Sequence, residues 1–256
     1  MRENHEILRA APLLNAAGDL NEPGWASSPL PVYRRAAVRA GKLRIKEWDY
    51  YLVTDGHIGL ALTISDNGYM GLDSVSFLDF DGKWERTKSP MRLLPLGKTG
   101  LPESSAEGVS EIARGGYALA FYHEDGARRL SFHMENFLDG DMIEGVVTLT
   151  DAPKQSMVIA TPFDKPKHFY YNQKINCMRA EGWIQLGKRR LELTPDRFFA
   201  VLDWGRGVWT YRNTWYWGSA SGELDGVPFG WNIGYGFGNT TAATENAVFY
   251  DGELHK

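Results

Sequence analysis

From Leu43 onward the chain alternates apolar and polar residues with a period of two, interrupted at short intervals by turn-forming residues. "LRIKEWDYYLV", "HIGLALTIS" and "YMGLDSVSFLDF" each predict a half-buried strand. Around them "TDG", "SDNG" and "DFDGKW" supply residues that tolerate positive φ at hairpin turns. "YALAFYHEDGARRLSFHME" predicts a hairpin about Asp125-Gly126, and "MIEGVVTLT", "GWIQLGKRRLELT" and "RFFAVLDW" predict further strands. No segment sustains a long 3.6-residue apolar period, so helices are expected to be short and few. The expected class is all-β, a barrel or a sandwich.

Three stretches depart from the alternation. Turn and breaker residues dominate "GDLNEPGWASSPLP", so the first forty residues read as an arm, with Trp25 pinning it to the body. "LPESSAEGVSE" reads as a loop, and "TPFDKPKHF", with its two prolines, marks a break near residue 165. The expected organisation is an arm over 1–40, a first barrel or sandwich over 41–165 and a second over 166–256.

The last third is dense in rings. "VWTYRNTWYWGSASG", starting at Val208, predicts one strand, with "VPFGWNIGYGFG" as its partner across "ELDG". A two-residue loop at Asp225-Gly226 sets Leu224 opposite Val227 and fixes the rest. Ser219 then faces Asn232, Trp217 faces Gly234 and Trp215 faces Gly236. This face, with Asn213, Ser219 and Asn232 as its polar members, reads either as a pocket lining or as ring-over-glycine packing. The reverse face pairs Tyr216 with Tyr235, Gly218 with Ile233 and Ala220 with Trp231, and is expected to be core.

Just ahead lies "DWGRG". Asp203 and Arg206, read as flanking a tight glycine turn, are expected either to pair with each other or to leave Asp203 as a proton donor or substrate anchor. Desolvation beside tryptophans would raise its pKa. Glu245 and Asn246 precede an apolar strand, either as turn formers or as polar groups reaching into the pocket opposite Asp203.

Composition narrows the classes. Of 256 residues, 43% are hydrophobic and 23% charged, an ordinary globular balance. Aromatic residues at 13% and 28 glycines suit a twisted sheet more than a helical bundle. A net charge of −4 with no long basic run leaves no nucleic-acid footprint. Apolar runs fall far short of a membrane span, and "MRENHEILRAAPLLN" lacks the apolar core of a signal peptide, so a cytoplasmic protein is expected. The single Cys177 excludes an internal disulfide and reads as a small buried residue. The six histidines show no metal-ligand spacing, and no Walker loop or nucleophile elbow is present. "GYGFGN" lies within or at the end of a strand with no helix after it, unlike a phosphate loop. No metal and no cofactor is expected.

Several of these stretches carry a resemblance. "GDLNEPGWASSPL", "RIKEWDYYLV" with "SDNGYMG", and "DWGRGVWTYRNTWYWGSASG…GWNIGYGFGN…TENAVFYDGELHK" resemble a bacterial family, number 2804 of the domains of unknown function. That family looks related to carotenoid 1,2-hydratases, tocopherol cyclases and AttH-like proteins. The resemblance implies lipocalin-like (calycin) antiparallel β-barrels in tandem, the second incomplete at Lys256. The related enzymes handle isoprenoid chains without a redox cofactor, protonating an alkene inside an aromatic cavity. By that analogy Asp203 or Glu245 is the candidate acid, and Trp209, Tyr211, Trp215, Trp217 and Trp231 are candidate wall residues. Arg206, Asn213, Ser219, Asn232 and Asn246 complete the candidate ligand contacts.

The leading expectation is therefore a binding protein for a hydrophobic small molecule, a lipid or an isoprenoid. The alternative is a cofactor-independent hydratase, cyclase or isomerase using a buried carboxyl group. A third reading is a structural or interaction module.

Overall fold

The computed structural model describes residues 4–124 and 126–256. Asp125, expected at a hairpin turn, lies outside them. Short strands β1 (Ala11–Pro12), β2 (Gly24–Ala26) and β3 (Pro31–Val32) and one 3₁₀ turn (Arg35–Ala37) make up the arm. Trp25 pins it, pairing with Ile159 across an antiparallel ladder.

The alternating segments form the expected strands. β4 (Lys46–Thr54), β5 (Ile58–Asp66), β6 (Met70–Asp79) and β7 (Trp84–Lys88) make a first meander, and β8 (Met91–Leu93) continues along β6 beyond β7. β9 (Gly108–Arg114), β10 (Tyr117–Glu124), β11 (Ala127–Leu138) and β12 (Asp141–Thr150) make a second. β13 (Met157–Pro162), β14 (Phe169–Leu186), β15 (Arg189–Leu193) and β16 (Phe199–Val208) join them. All these belong to one 14-stranded sheet, its main path running β7-β6-β5-β4-β16-β14-β12-β11-β10-β9. The expected break near residue 165 is the loop between β13 and β14, two paired strands of this sheet. β16 pairs with β4 and β14 with β12, so strands from either side of that loop are interleaved.

The sheet curls until its β7 edge reaches the last residues of β11. Arg86 Nε on β7 donates to Phe137 O on β11 at 2.8 Å, and Lys88 Nζ donates to Glu135 O at 2.7 Å. No ladder joins β7 to β11 or to the other end strand, β9, among the described residues, so the sheet is curled rather than closed. Its concave face is filled by apolar side chains such as Leu62, Val75, Leu130, Met134, Val147 and Leu202. That packed interior leaves the convex face to carry the cavity described below.

A separate four-stranded sheet follows: β17 (Tyr216–Leu224), β18 (Val227–Tyr235), β19 (Ala247–Tyr250) and β20 (Glu253–His255). The expected register holds from Leu224↔Val227 through Ser219↔Asn232 and Trp217↔Gly234 to Tyr216↔Tyr235. Asp225 and Gly226, at φ 54° and 78°, form the turn that sets it. Two expectations fail. The strand begins at Tyr216 rather than Val208, so Trp215 does not pair with Gly236; the intervening segment is a loop. The face carrying Tyr216, Ile233 and Tyr235 is not core: these are 69%, 52% and 69% exposed.

The glycine-, serine- and asparagine-bearing face of this sheet is the one that packs inward, because polar contacts hold it there. Asn176 Nδ2 on β14 donates to Ser219 Oγ at 2.8 Å and to Ala220 O at 3.1 Å. Cys177 N donates to Ser221 Oγ at 3.0 Å. These residues sit where the β14–β16 register slips between Ile175 and Met178, with Cys177 at φ 61°. The extra residue bends the strand and turns Asn176 toward the second sheet. Cys177 is buried and free, as expected.

Candidate functional site

Successive strand residues point to opposite faces, so odd and even positions of β16 serve different environments. Trp204 and Arg206 face the packed interior. Arg206 is fully buried there, donating to Asp49 Oδ1 at 3.0 Å and to Pro102 O at 2.7 Å. Asp203 faces the other way. "DWGRG" is therefore straight strand rather than a turn, and the expected Asp203–Arg206 pair does not exist. Arg206 also falls away as a ligand contact, since it lies on the opposite face from the cavity.

Asp203 pairs instead with Lys174, its ladder neighbour on β14, at 2.7 Å between Nζ and Oδ2. Asn172 Nδ2 donates to Asp203 Oδ1 at 2.6 Å, and Trp48 Nε1 donates to the same oxygen at 3.2 Å. Three donors fix this carboxylate. Glu245, on the loop before β19, brings its Oε2 to 3.8 Å from Lys174 Nζ. That oxygen is buried with no hydrogen-bond partner.

The indole of Trp217 spans the same centre. Lys174 Nζ lies 4.8 Å from its ring centroid, and its Nε1 donates to Asn232 Oδ1 at 2.7 Å. Asn232 Nδ2 in turn donates to Glu245 O at 2.8 Å. Asn232 thus holds both the indole and the Glu245 backbone and is fully buried. Gly234 lacks a side chain for a related reason: a Cβ there would run into the Glu245 carboxyl. The glycine opposite Trp217 makes room for an acid rather than for the ring.

These groups floor a cavity of ≈ 380 Å³ between the convex face of the large sheet and the small sheet. Its walls include Trp48, Tyr170, Trp209, Trp215, Trp217 and Phe237, with Thr63, Ser65, Asn67 and Leu72 along one side. Phe237 is the hub, meeting Tyr170, Trp209 and Trp215 edge-on at centroid distances of 4.8, 5.5 and 5.4 Å. Trp48 stacks on Tyr170 at 6.1 Å and seats itself over Gly205, whose missing Cβ clears the way. Edge-to-face contacts of this kind add roughly 0.5–1.5 kcal/mol each beyond area burial.

The electrostatics follow from one lysine shared between two carboxyl groups. Asp203 and Lys174 neutralise each other; ionising Glu245 would add an unpaired negative charge among rings. Burial accordingly pushes the Glu245 carboxyl up from its ordinary value, Lys174 opposing and Asp203 reinforcing the shift. Burial and the Asp203 charge push Tyr50 up to about 12. Tyr170 is raised well above its usual range by burial, then by Glu245 and Asp203.

Of the residues singled out from sequence, Asp203, Glu245, Trp209, Trp215 and Trp217 line this cavity together. The others do not. Tyr211 is 87% exposed, and Trp231 lies on the reverse face of β18 against Gly218. Ser219 and Asn232 brace the site from behind. Asn246 is exposed and accepts the Gly234 N–H at 2.7 Å. Asn213 accepts from Thr210 Oγ1 at 2.8 Å and lines a separate polar depression of ≈ 680 Å³. A further groove of ≈ 570 Å³ on β9–β12 carries the surface pair His133–Glu144. Neither depression gathers a buried acid. Among the described residues no cluster of three or more His, Cys, Asp or Glu is placed to hold a metal.

Sequence reasoning missed Lys174, Asn172, Trp48, Tyr170 and Phe237. Lys174 is a lone lysine in "FYYNQKIN", a run that carries no local sign of burial. Phe237 was signalled by "GYGFGN": Gly236 and Gly238, at φ 91° and 74°, turn the ring inward.

Comparison with known proteins agrees with this architecture. Residues 4–256 match the family model described as "Domain of unknown function (DUF2804)", and the chain belongs to that family. Among solved structures it is similar to an AttH-like protein of Nitrosomonas europaea, at 14% identity and a TM-score of 0.54. That match covers 90% of this chain and 73% of the other. Kievitone hydratase of Nectria haematococca is similar at 8% identity and a TM-score of 0.43, covering 96% and 73%. At such identities the likeness to the first is one of fold. No curated protein matches the chain significantly.

Proposed function

We propose that this member of the DUF2804 family binds a hydrophobic small molecule, of lipid or isoprenoid type, in the aromatic cavity between its two sheets. The observation that carries the reading is the convergence of rings from both sheets on a ≈ 380 Å³ space with a few fixed polar groups. That volume sits near the lower end for small-molecule sites, so a long polyene would extend beyond the walls. We also read the curled sheet as a lipocalin-like barrel and β17–β20 as part of a second, which sets the cavity between the two.

A second reading rests on Glu245. A cavity carboxyl whose hold on its proton is strengthened by burial, with one buried oxygen lacking a hydrogen-bond partner, suits giving that proton to a double bond. The developing carbocation would lie over Trp217 or Trp48, where each ring face contributes roughly 0.5–2 kcal/mol. Return of a proton to Glu245, from added water or from an adjacent carbon, would complete a hydration or an isomerisation. Asp203, held by three donors, clamps Lys174 instead of serving as the acid.

The test is native mass spectrometry of the purified chain, followed by mass analysis of a solvent extract and re-addition of what is found. Trp217→Ala is expected to abolish uptake with little loss of fold. A large stability loss with binding intact would sink the pocket reading. Glu245→Gln separates the two functions: it preserves binding in both and abolishes turnover only if the acid reading holds.

A further inference from the structure

Four segments meet at one rim of the cavity, and the contacts between them make it continuous. Gly68, in the β5–β6 turn, packs against the backbone of Lys42 and Leu43. Leu94 N and Leu96 N, just after β8, donate to Tyr69 O and Gly68 O at 3.0 and 3.1 Å. Arg44 donates to Trp209 O and lies 3.8 Å over the Tyr211 ring. Asn67, Trp209 and Trp215 from this rim also line the cavity.

The rim is apolar where it meets solvent. Leu93 is 78% exposed, Leu94 56%, Leu43 49%, Tyr69 47%, Tyr211 87% and Trp215 57%. Large side chains this exposed, and this close together, mark an interaction surface. The charges carried by the four segments themselves have one sign, while Asp164 lies in the depression beside Arg212. Residues 41–46, 67–70, 91–98 and 209–216 contain Lys42, Arg44, Lys98 and Arg212, besides the buried Lys46 and Arg92, and no carboxylate. In a chain with a net charge of −4, that is a local reversal.

We propose that this rim docks on an anionic lipid bilayer, with the leucines and rings entering the interface and the cations meeting headgroups. Trp and Tyr favour the headgroup level, and an apolar patch ringed by Lys and Arg is the composition of a peripheral membrane contact. A protein partner would need opposing carboxylates in a set geometry; a bilayer needs only density of negative charge. No helix among the described residues is long and apolar enough to cross a membrane, and surface docking requires none. Docking would set the cavity beside the hydrocarbon phase. The surface does not depend on cavity occupancy, so this inference and the proposed function fail separately.

The experiment is co-sedimentation of the full chain with large unilamellar vesicles, either pure phosphatidylcholine or equal parts phosphatidylcholine and phosphatidylglycerol. Binding to the mixed vesicles, weakened by salt, is expected. Each lost cation should weaken partitioning roughly fivefold, so Lys42→Gln with Lys98→Gln should cost about twenty-five-fold. Leu93→Ser should weaken binding with the cations intact, and Trp217→Ala should leave it unchanged. Absence of binding, or equal binding to both vesicles, would overturn the proposal. So would self-association in light scattering that Leu93→Ser abolishes, because the patch would then be a contact between copies.

Discussion

Replacing Lys174 with methionine keeps an unbranched side chain one atom shorter and removes the one cation among the described residues that line the cavity. Asp203, whose side chain is 14% exposed, would keep Asn172 and Trp48 as donors but lose its counter-charge. Removing one partner of a buried ion pair costs roughly 3–5 kcal/mol, because the survivor remains desolvated and unpaired. The two remaining donors place the expected loss near the low end, about 3 kcal/mol. For a chain of this size that is a fall in Tm of roughly 6–12 °C. Adding Asp203→Asn removes the orphaned charge, and the double variant should recover to within about 1–2 kcal/mol of the parent. Equilibrium urea unfolding followed by tryptophan fluorescence measures both, with an unchanged m-value as the check that the same unfolding is compared. A loss below about 1 kcal/mol for Lys174→Met would refute the reasoning. So would a double variant no more stable than the single one.

Two further outcomes follow from the same geometry. Glu245 is raised from its ordinary 4.5, so the folded chain holds a proton that the unfolded chain releases. Its contribution to stability is full below about pH 4.5 and declines as pH rises through the raised value; subtracting the Tm–pH curve of Glu245→Gln from that of the parent should isolate this decline, and parallel curves would contradict it. Asn176→Ala removes the side chain that ties β14 to Ser219, Ala220 and Trp231. It is expected to cost about 1–3 kcal/mol and to speed amide exchange across β17 and β18, and unchanged exchange there would remove Asn176 as the tether.

The residues explain which parts of this fold were legible. Asp225-Gly226 permits only a tight turn, so the β17–β18 register could be read outward from it. Which face turned inward could not. Rings crowd both faces, and the deciding contact is the Asn176 amide, a residue far away in sequence on a strand bent by a bulge. Asp203 and Arg206 misled because glycines in "DWGRG" imitate a turn. Those glycines instead admit close neighbours, the Trp48 ring at Gly205 and the Phe169 carbonyl at Gly207. Once the segment is strand, three residues' separation alone puts Asp203 and Arg206 on opposite faces. Lys174 could not be found at all, since its role is set by Asp203 and Glu245, which meet it only through pairing and packing of distant strands.

The main core and the cavity share strands but not side chains, while Tyr170, Trp48 and Phe237 serve both the cavity and a smaller core beside it. Along β4, β14 and β16 one parity of residues, such as Tyr51, Tyr171 and Leu202, packs the interior, while the other, such as Trp48, Lys174 and Asp203, faces the cavity. Most binding proteins of barrel type hollow out their own core and must balance what they recognise against what keeps them folded. Here the two demands are written on alternate letters. On the proposed function, a lineage built on this chain could drift in ligand choice by changing Thr63, Ser65 or Leu72 while its main interior stayed under separate selection. Sequence divergence among relatives should then concentrate at one parity of those strands, and the fold would be a permissive host for new specificities.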